Sequence, residues 1–268
     1  MAQARRDMGE LRPIDDLMFR VMARDEAFCG ELLGVLLEDR GLTVVKSTPQ
    51  SHVTNTRGRS AVLDALCELS DGRLVNVEVQ RADDDDLQRR VRYYASLVTT
   101  DRTPPGARFA DVPDVCVVLV CEFDPLRGGR PLYHVDRVVR ETGESAENGL
   151  EEVYVNALAR DGSEVSALMR LFIEAEAYDE ARFPETSRVK RRLRETEEGR
   201  EDMGSVIEEI CAKNRLEGKA EGIAEGEARG TLKTLGRLVR DGLVSVQDAA
   251  ASAGVDADEI RRALAAEG

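Results

Sequence analysis

Ala61-Val62-Leu63-Asp64-Ala65-Leu66-Cys67-Glu68-Leu69, Ser70-Asp71-Gly72 and Arg73-Leu74-Val75-Asn76-Val77-Glu78-Val79-Gln80 form the stretch that decides the fold. Two aliphatic runs flank an Asp-Gly step, a strong hairpin-turn signal, so the runs are expected to pair antiparallel. In the second run, alternation puts Val75, Val77 and Val79 on one face and Asn76, Glu78 and Gln80 on the other. The first run carries Asp64 among small and apolar residues, and a turn centred on Asp71-Gly72 brings it close to the level of Glu78. Two converging carboxylates are costly to bury unless something offsets their charge, and a divalent cation held by hard oxygen ligands does so. The same alternation also reads as two acids on a solvated sheet face.

Outward from this hairpin the chain is read as alternating helix and strand. Upstream, Leu17, Val21, Phe28, Leu32, Val35 and Leu36 return at every third or fourth place over 14–39, which predicts one or two amphipathic helices closed by Gly41. Downstream, helical rhythm over 86–98 is broken by Pro104-Pro105-Gly106. The apolar run from Val115 to Val120 then predicts a strand buried on both faces, at the centre of the sheet. Strands are expected at Leu132–Val139 and Glu152–Asn156, after a turn at Arg127-Gly128-Gly129-Arg130, and a helix at about Glu164–Ala177. The order predicts an α/β domain over 1–183, a mixed central sheet flanked by helices.

Beyond Pro184 the composition turns to Arg, Glu, Lys and Ala, which predicts an all-helical C-terminal tail over 184–268. Gly218, Gly222, Gly226 and Gly230 recur at a four-residue interval within it. A glycine stripe lets a partner helix approach and so suggests a homo-oligomer, although each glycine costs a soluble helix about 1 kcal/mol relative to alanine and a flexible linker fits as well. The last stretch, Leu238 to Leu264, reads as three short helical pieces with Ser245 as a cap. Their spacing resembles a helix-turn-helix and equally suits a generic helical terminus.

With 268 residues, 42% hydrophobic and 34% charged, the chain can bury a large core without metal or disulfides, and collagen, a disulfide scaffold and wholesale disorder are excluded. Five scattered cysteines without a C-x-x-C pair read as reduced core fillers. No stretch reaches the roughly 18 to 20 apolar residues of a membrane span, and the opening residues, with Arg5, Arg6, Asp7 and Glu10, lack a signal-peptide core, so the cytoplasm is the expected compartment. Net charge of −14 argues against indiscriminate nucleic-acid binding, yet residues 111–180 hold 16 acids and only 6 bases, leaving the flanking segments near balance. Arginine outnumbers lysine 33 to 5, and Arg89, Arg90 and Arg92 directly follow the Glu78 strand, where guanidinium groups suit a phosphodiester. Asp83-Asp84-Asp85-Asp86 reads as a solvated loop or helix start. His52 and His134 support no Ser-His-Asp triad, and phosphate-loop and dinucleotide motifs are absent.

Five segments together resemble the PD-(D/E)XK nuclease family transposases, also known as the recombination-promoting nuclease (Rpn) family. They are Asp16-x-x-Phe19-Arg20, Gly58-Arg59-x-x-x-Leu63-Asp64, Asp71-Gly72-Arg73-x-x-Asn76-Val77-Glu78-Val79-Gln80-Arg81, Arg90-x-Arg92-Tyr93-Tyr94-x-Ser96-Leu97 and Pro131-x-Tyr133. The resemblance runs over roughly 14–180, and the glycine-periodic tail is similar to the family's C-terminal region. It implies a restriction-endonuclease-like fold and an Mg²⁺-dependent DNA endonuclease, with Mn²⁺ as a substitute ion, associated with recombination, mobile elements or phage defence. By the same resemblance Asp64 and Glu78 are the metal-binding acids, joined by the Val79 carbonyl. Gln80 takes the third catalytic position, where the wider superfamily has lysine, and Asp16 is an accessory acid. Arg90, Arg92 and Tyr94 lie in the matching helix as substrate-binding residues. Lys46 is the only lysine before residue 190, so the alternative is a catalytically inactive nuclease-fold module that binds DNA or protein.

Overall fold

The computed structural model describes residues 11–55, 59–83, 86–206, 208, 234–253, 255–258 and 261. Two helices come first, α1 (Asp16–Met22) and α2 (Glu26–Leu36). The rhythm over 14–39 divides at Asp25, whose carboxylate accepts the Phe28 N–H at 3.0 Å and starts α2 as its N-cap. Phe28 meets Phe19 edge-on at 6.3 Å and stacks on Phe172 at 6.2 Å, which ties both helices to a later one.

Strand β1 (Val44–Val53) follows, and its sequence does not announce it. Lys46, Ser47, Thr48, Pro49 and Gln50 show no alternation, and Pro49 has no N–H to give a ladder. The strand forms because it lies at the edge of the sheet, where one side of its backbone needs no partner. Next come β2 (Ala61–Leu69) and β3 (Leu74–Gln80), antiparallel as expected, joined through Gly72 at φ +92°, a conformation that suits glycine. Helix α3 (Leu87–Arg102) begins at Asp86, whose side chain accepts the Arg89 N–H at 3.1 Å, and it runs past the expected 86–98.

Strand β4 (Val115–Cys121) is buried at every position and lies inside the sheet. It is followed by β5 (Leu132–Val135) and β6 (Leu150–Asn156). The order is β1-β2-β3-β4-β6-β5, with β3, β4 and β6 parallel and the other neighbours antiparallel. The expected strand at Leu132–Val139 stops at Val135, and Val138 makes only an isolated bridge to Ser145. Helix α3 crosses between the parallel strands β3 and β4. Under it, Leu87, Val91, Ala95 and Val98 form one core with Leu66, Val117, Leu119 and Tyr154. Residues alternating to the other face, such as Val75, Val77, Val118 and Val120, are buried too, so helices cover both sides of this mixed sheet. The result is the restriction-endonuclease-like α/β architecture expected.

Helices α4 (Glu164–Ile173) and α5 (Pro184–Glu195) complete the first compact unit, which extends to Val206. A boundary at 183/184 therefore falls inside packed structure. The Glu31 carboxylate of α2 accepts the Glu185 and Thr186 N–H groups at 3.0 and 2.8 Å, and Gly199 lies where a Cβ would stand 2.2 Å from the Arg192 carbonyl oxygen. The compositional shift at 184 marks the polar outer face of a docked helix, not the end of the domain. A second unit spans Ile207–Gly268. In it, helical residues 234–240 end at Gly242 (φ +73°), and α6 (Val246–Ala253) follows. Ser245 accepts the Asp248 N–H at 3.1 Å, as its capping role requires, and Ala249 and Ala250 pack with Leu235, Val239 and Val244. The stripe Gly218, Gly222, Gly226 and Gly230, and Cys211, lie outside the described residues. Cys29, Cys67, Cys116 and Cys121 are free and buried. Among the described residues no helix is long and apolar enough to cross a membrane.

Lys190 of α5 is fully buried, and its Nζ donates to the carbonyls of Leu171, Glu174 and Ala177 at 2.7, 2.7 and 2.8 Å. Burial, and then the Arg194 charge, pull its pKa down to about 7 against the charges of Glu176 and Glu174, and the three carbonyls take all three ammonium protons of the charged form. Lys190→Met leaves three carbonyls unpaired. It is expected to cost about 3 kcal/mol or more, seen as a lower urea midpoint at unchanged m-value.

Candidate active site

The site arises where the β2–β3 ladder ends. Backbone pairing runs from Glu68↔Leu74 to Ala65↔Val77, and the next step of the same register sets Asp64 opposite Glu78. Side chains then take over from the ladder. The Asp64 N–H donates to Glu78 Oε1 at 3.3 Å, and the Val79 N–H donates to Asp64 Oδ2 at 3.0 Å. Asn76 Nδ2 also donates to Glu78 Oε1 at 3.0 Å, from the same face two residues away. The two acids share one site, and the solvated-face alternative fails: Asp64 is 8% exposed and Glu78 7%.

Burial, more than any charge, governs these carboxyls. It lifts Asp64 to about 7, with the Asp16 charge adding to the effect and the Val79 N–H and Arg20 opposing it. Glu78 is pushed well above the usual carboxylate range by burial and then by the Asp64 charge, against Asn76, the Asp64 N–H and Arg90. Asp16, on α1, lies near Asp64 and its charge is felt there. It is half exposed and held by Arg20, whose Nε lies 2.6 Å from Asp16 Oδ1 and whose Nη2 lies 3.5 Å from Asp64 Oδ1.

Gln80 follows on the face of Asn76 and Glu78. Its Oε1 accepts from Arg90 Nη2 at 2.6 Å, and its Nε2 donates to the Ala82 carbonyl at 2.6 Å. The amide is therefore clamped, and it holds a guanidinium from α3 at the end of β3. Tyr94 lies one turn from Arg90 on the same helix. Burial raises its hydroxyl pKa, and the Glu78 charge adds to the rise. Arg92 does not join them: two residues on from Arg90 it is exposed, about 200° around the helix. A cleft of about 340 Å³ lined by Arg59, Asp86, Arg89, Arg90, Tyr93 and Tyr94 adjoins the acids through Arg90 and Tyr94.

One group of supporting residues goes unread in the sequence. Arg12 grips both oxygens of Glu122 at 2.6 and 3.0 Å. Arg81 reaches Glu122 at 2.9 Å and Asp15 at 2.8 Å, and Asp15 in turn accepts the Arg12 N–H at 2.7 Å. Asp15 immediately precedes α1, Arg81 follows β3 and Glu122 follows β4, so the network fastens Asp16 and Arg20 to the strand ends that carry Glu78 and Gln80. Only Arg81, directly after the Glu78 motif, has a sequence signal; the others are scattered along the chain.

Residues 23–164 match the family described as PD-(D/E)XK nuclease family transposase, over more than half of the chain. The chain belongs to that family. The match includes Asp64, Glu78, Gln80, Arg90 and Tyr94 and excludes Asp16 and Arg20. No curated protein and no solved structure matches the chain. Nucleases of the PD-(D/E)XK type use divalent metal ions, and the donor set here fits one. Two buried carboxylates resist carrying full negative charge side by side. The Val79 carbonyl leaves β3 on the same side as the N–H that meets Asp64, which makes three hard oxygen donors. Among the described residues no group of three or more His, Cys, Asp or Glu side chains is arranged to hold a metal.

The mutual repulsion predicts a stability cost. Glu78→Gln keeps an acceptor for Asn76 and the Asp64 N–H and removes one buried charge. In metal-free buffer it is expected to raise the melting temperature by about 2–4 °C, the shift for roughly 1 kcal/mol in a domain of this size. A drop in melting temperature would show that the acid pair stabilises the fold by itself.

Proposed function

We propose that this PD-(D/E)XK family member is a metal-dependent DNA endonuclease acting in recombination, mobile-element movement or phage defence in the cytoplasm, assembled as a homo-oligomer through its C-terminal helices. The single observation that carries the catalytic part is the convergence of Asp64 and Glu78 on one buried site at the end of the β2–β3 ladder, with Arg90 bonded to Gln80 beside it. Asp64, Glu78 and the Val79 carbonyl would hold Mg²⁺, with Mn²⁺ as a substitute. When bound, such an ion lowers the pKa of an attacking water and offsets charge on the phosphate.

The chain's own groups divide the remaining work. Gln80 and Arg90 orient the scissile phosphate, the guanidinium supplying the positive charge that the missing lysine would give, with two or more donors in place of one point charge. Arg20 reaches both Asp16 and Asp64 and opposes the rise that burial and the Asp16 charge give the Asp64 carboxyl. The Val79 N–H fixes the Asp64 carboxylate, so its free oxygen faces the site without rotating.

Supercoiled plasmid in Mg²⁺ or Mn²⁺ is expected to be nicked by the parent protein and at least about 100-fold more slowly by Asp64→Ala or Glu78→Ala, the loss typical of a removed transition-state contact. Arg90→Lys is expected to retain more activity than Arg90→Ala, since a cation remains. Equal nicking by parent and Asp64→Ala would remove the assignment. The glutamine in place of lysine favours one second reading, an inactive descendant that binds DNA or protein through the same fold. Calorimetric titration with Mg²⁺ separates the two: the nuclease takes up the ion, and the inactive module, still folded, does not.

A further inference from the structure

The cleft beside the acids has a composition of its own. Its volume, about 340 Å³, stands at the small end of ligand pockets, room for one nucleotide and far too little for a duplex. Three guanidinium groups, Arg59, Arg89 and Arg90, face one acid, Asp86, and two phenol rings, Tyr93 and Tyr94. Among the described residues Arg59 and Arg90 form no ion pair with a carboxylate, so both offer donors to an anion. Arg89 is paired with Asp86 at 3.1 Å on an exposed surface, a contact that a phosphate displaces at little cost. The Tyr93 ring is held in place from two sides: its hydroxyl donates to the Arg59 carbonyl and accepts from Asn55 Nδ2 at 3.4 Å. A fixed aromatic ring set among three arginines is the composition of a stacking platform for single-stranded nucleic acid.

We infer that this cleft is a subsite for one unpaired nucleotide of a DNA strand, its base lying on Tyr93 and its phosphate held by Arg59 and Arg89, next to the scissile phosphate that Arg90 orients. The inference rests on the nuclease reading of Asp64 and Glu78 for the position of the scissile bond. A base inside a duplex is covered on both faces by its neighbours and cannot reach the Tyr93 ring, so the subsite selects strands that are single, frayed or flipped. Sequence preference is not part of its chemistry, because rings and guanidinium groups meet every base and every phosphate alike.

The test uses the full chain in EDTA, with a fluorescein-labelled oligothymidylate of about 12 nucleotides and a blunt duplex of equal length as probes in an anisotropy titration. The single strand is expected to bind at least about tenfold more tightly than the duplex, and Tyr93→Ala and Arg59→Gln each to weaken it by about tenfold, the scale of one lost stack or phosphate contact. Tyr93→Phe, which keeps the ring, is expected to bind within about threefold of the parent, and this rescue separates stacking from a folding defect. Equal affinity for strand and duplex, or unchanged binding by Tyr93→Ala together with Arg59→Gln, would overturn the subsite even if plasmid is cut in Mg²⁺. Conversely, single-strand binding lost in both variants, alongside no cutting in any metal, upholds the subsite and refutes the nuclease.

Discussion

Everything in the site depends on where one antiparallel ladder stops. Between Glu68↔Leu74 and Ala65↔Val77 the strands satisfy each other's backbone, and one step further the carboxylates of Asp64 and Glu78 take up the N–H groups of Val79 and Asp64. A buried backbone donor must find an acceptor, and here the acceptors are acids. The same hydrogen bonds that close the sheet therefore aim the side chains, and neither carboxylate can turn away without exposing an unpaired amide. The cost is two like charges in a dry place, which is why burial lifts both carboxyls out of their ordinary range. Sites built for a cation carry this kind of strain.

The layers on either side serve that junction differently. Helix α3 lies over the face of Asn76, Glu78 and Gln80 and lends it Arg90 and Tyr94 while its apolar stripe holds the core. Helix α1 brings Asp16 and Arg20 from the start of the chain, fastened by the ring of ion pairs among Arg12, Asp15, Arg81 and Glu122. Partly buried and mutually hydrogen-bonded, those four charges form a network and not a set of isolated surface pairs, so they position more than they stabilise. The end of β3 is likewise a matter of two elements: Gln80 alone has no charge, and Arg90, bonded to it from α3, brings one.

Much of this was legible in the chain itself. The Asp-Gly turn, the alternation of Val75 to Gln80 and the unbroken apolar run at Val115 predict the hairpin, the shared face and the interior strand, because each depends on residues within a few positions of one another. Strand β1 was not legible: its polar run around Pro49 becomes a strand only because an edge position is open for it. The tail at 184 misleads for a related reason, since composition reports the exposed face of a helix and not what its buried face touches.

Local pattern determined that Asp64, Glu78 and Gln80 point the same way and that arginines and tyrosines follow them on a helix. Tertiary structure alone decided that Asp64 and Glu78 meet within one buried site, that Arg90 reaches Gln80 while Arg92 turns outward, and that Arg12 and Glu122, 110 residues apart, lock α1 to the sheet. The physical reason is range. Alternation and turn preference act between neighbours along the chain, whereas burial, charge and hydrogen-bond satisfaction depend on which surfaces meet once the sheet has closed.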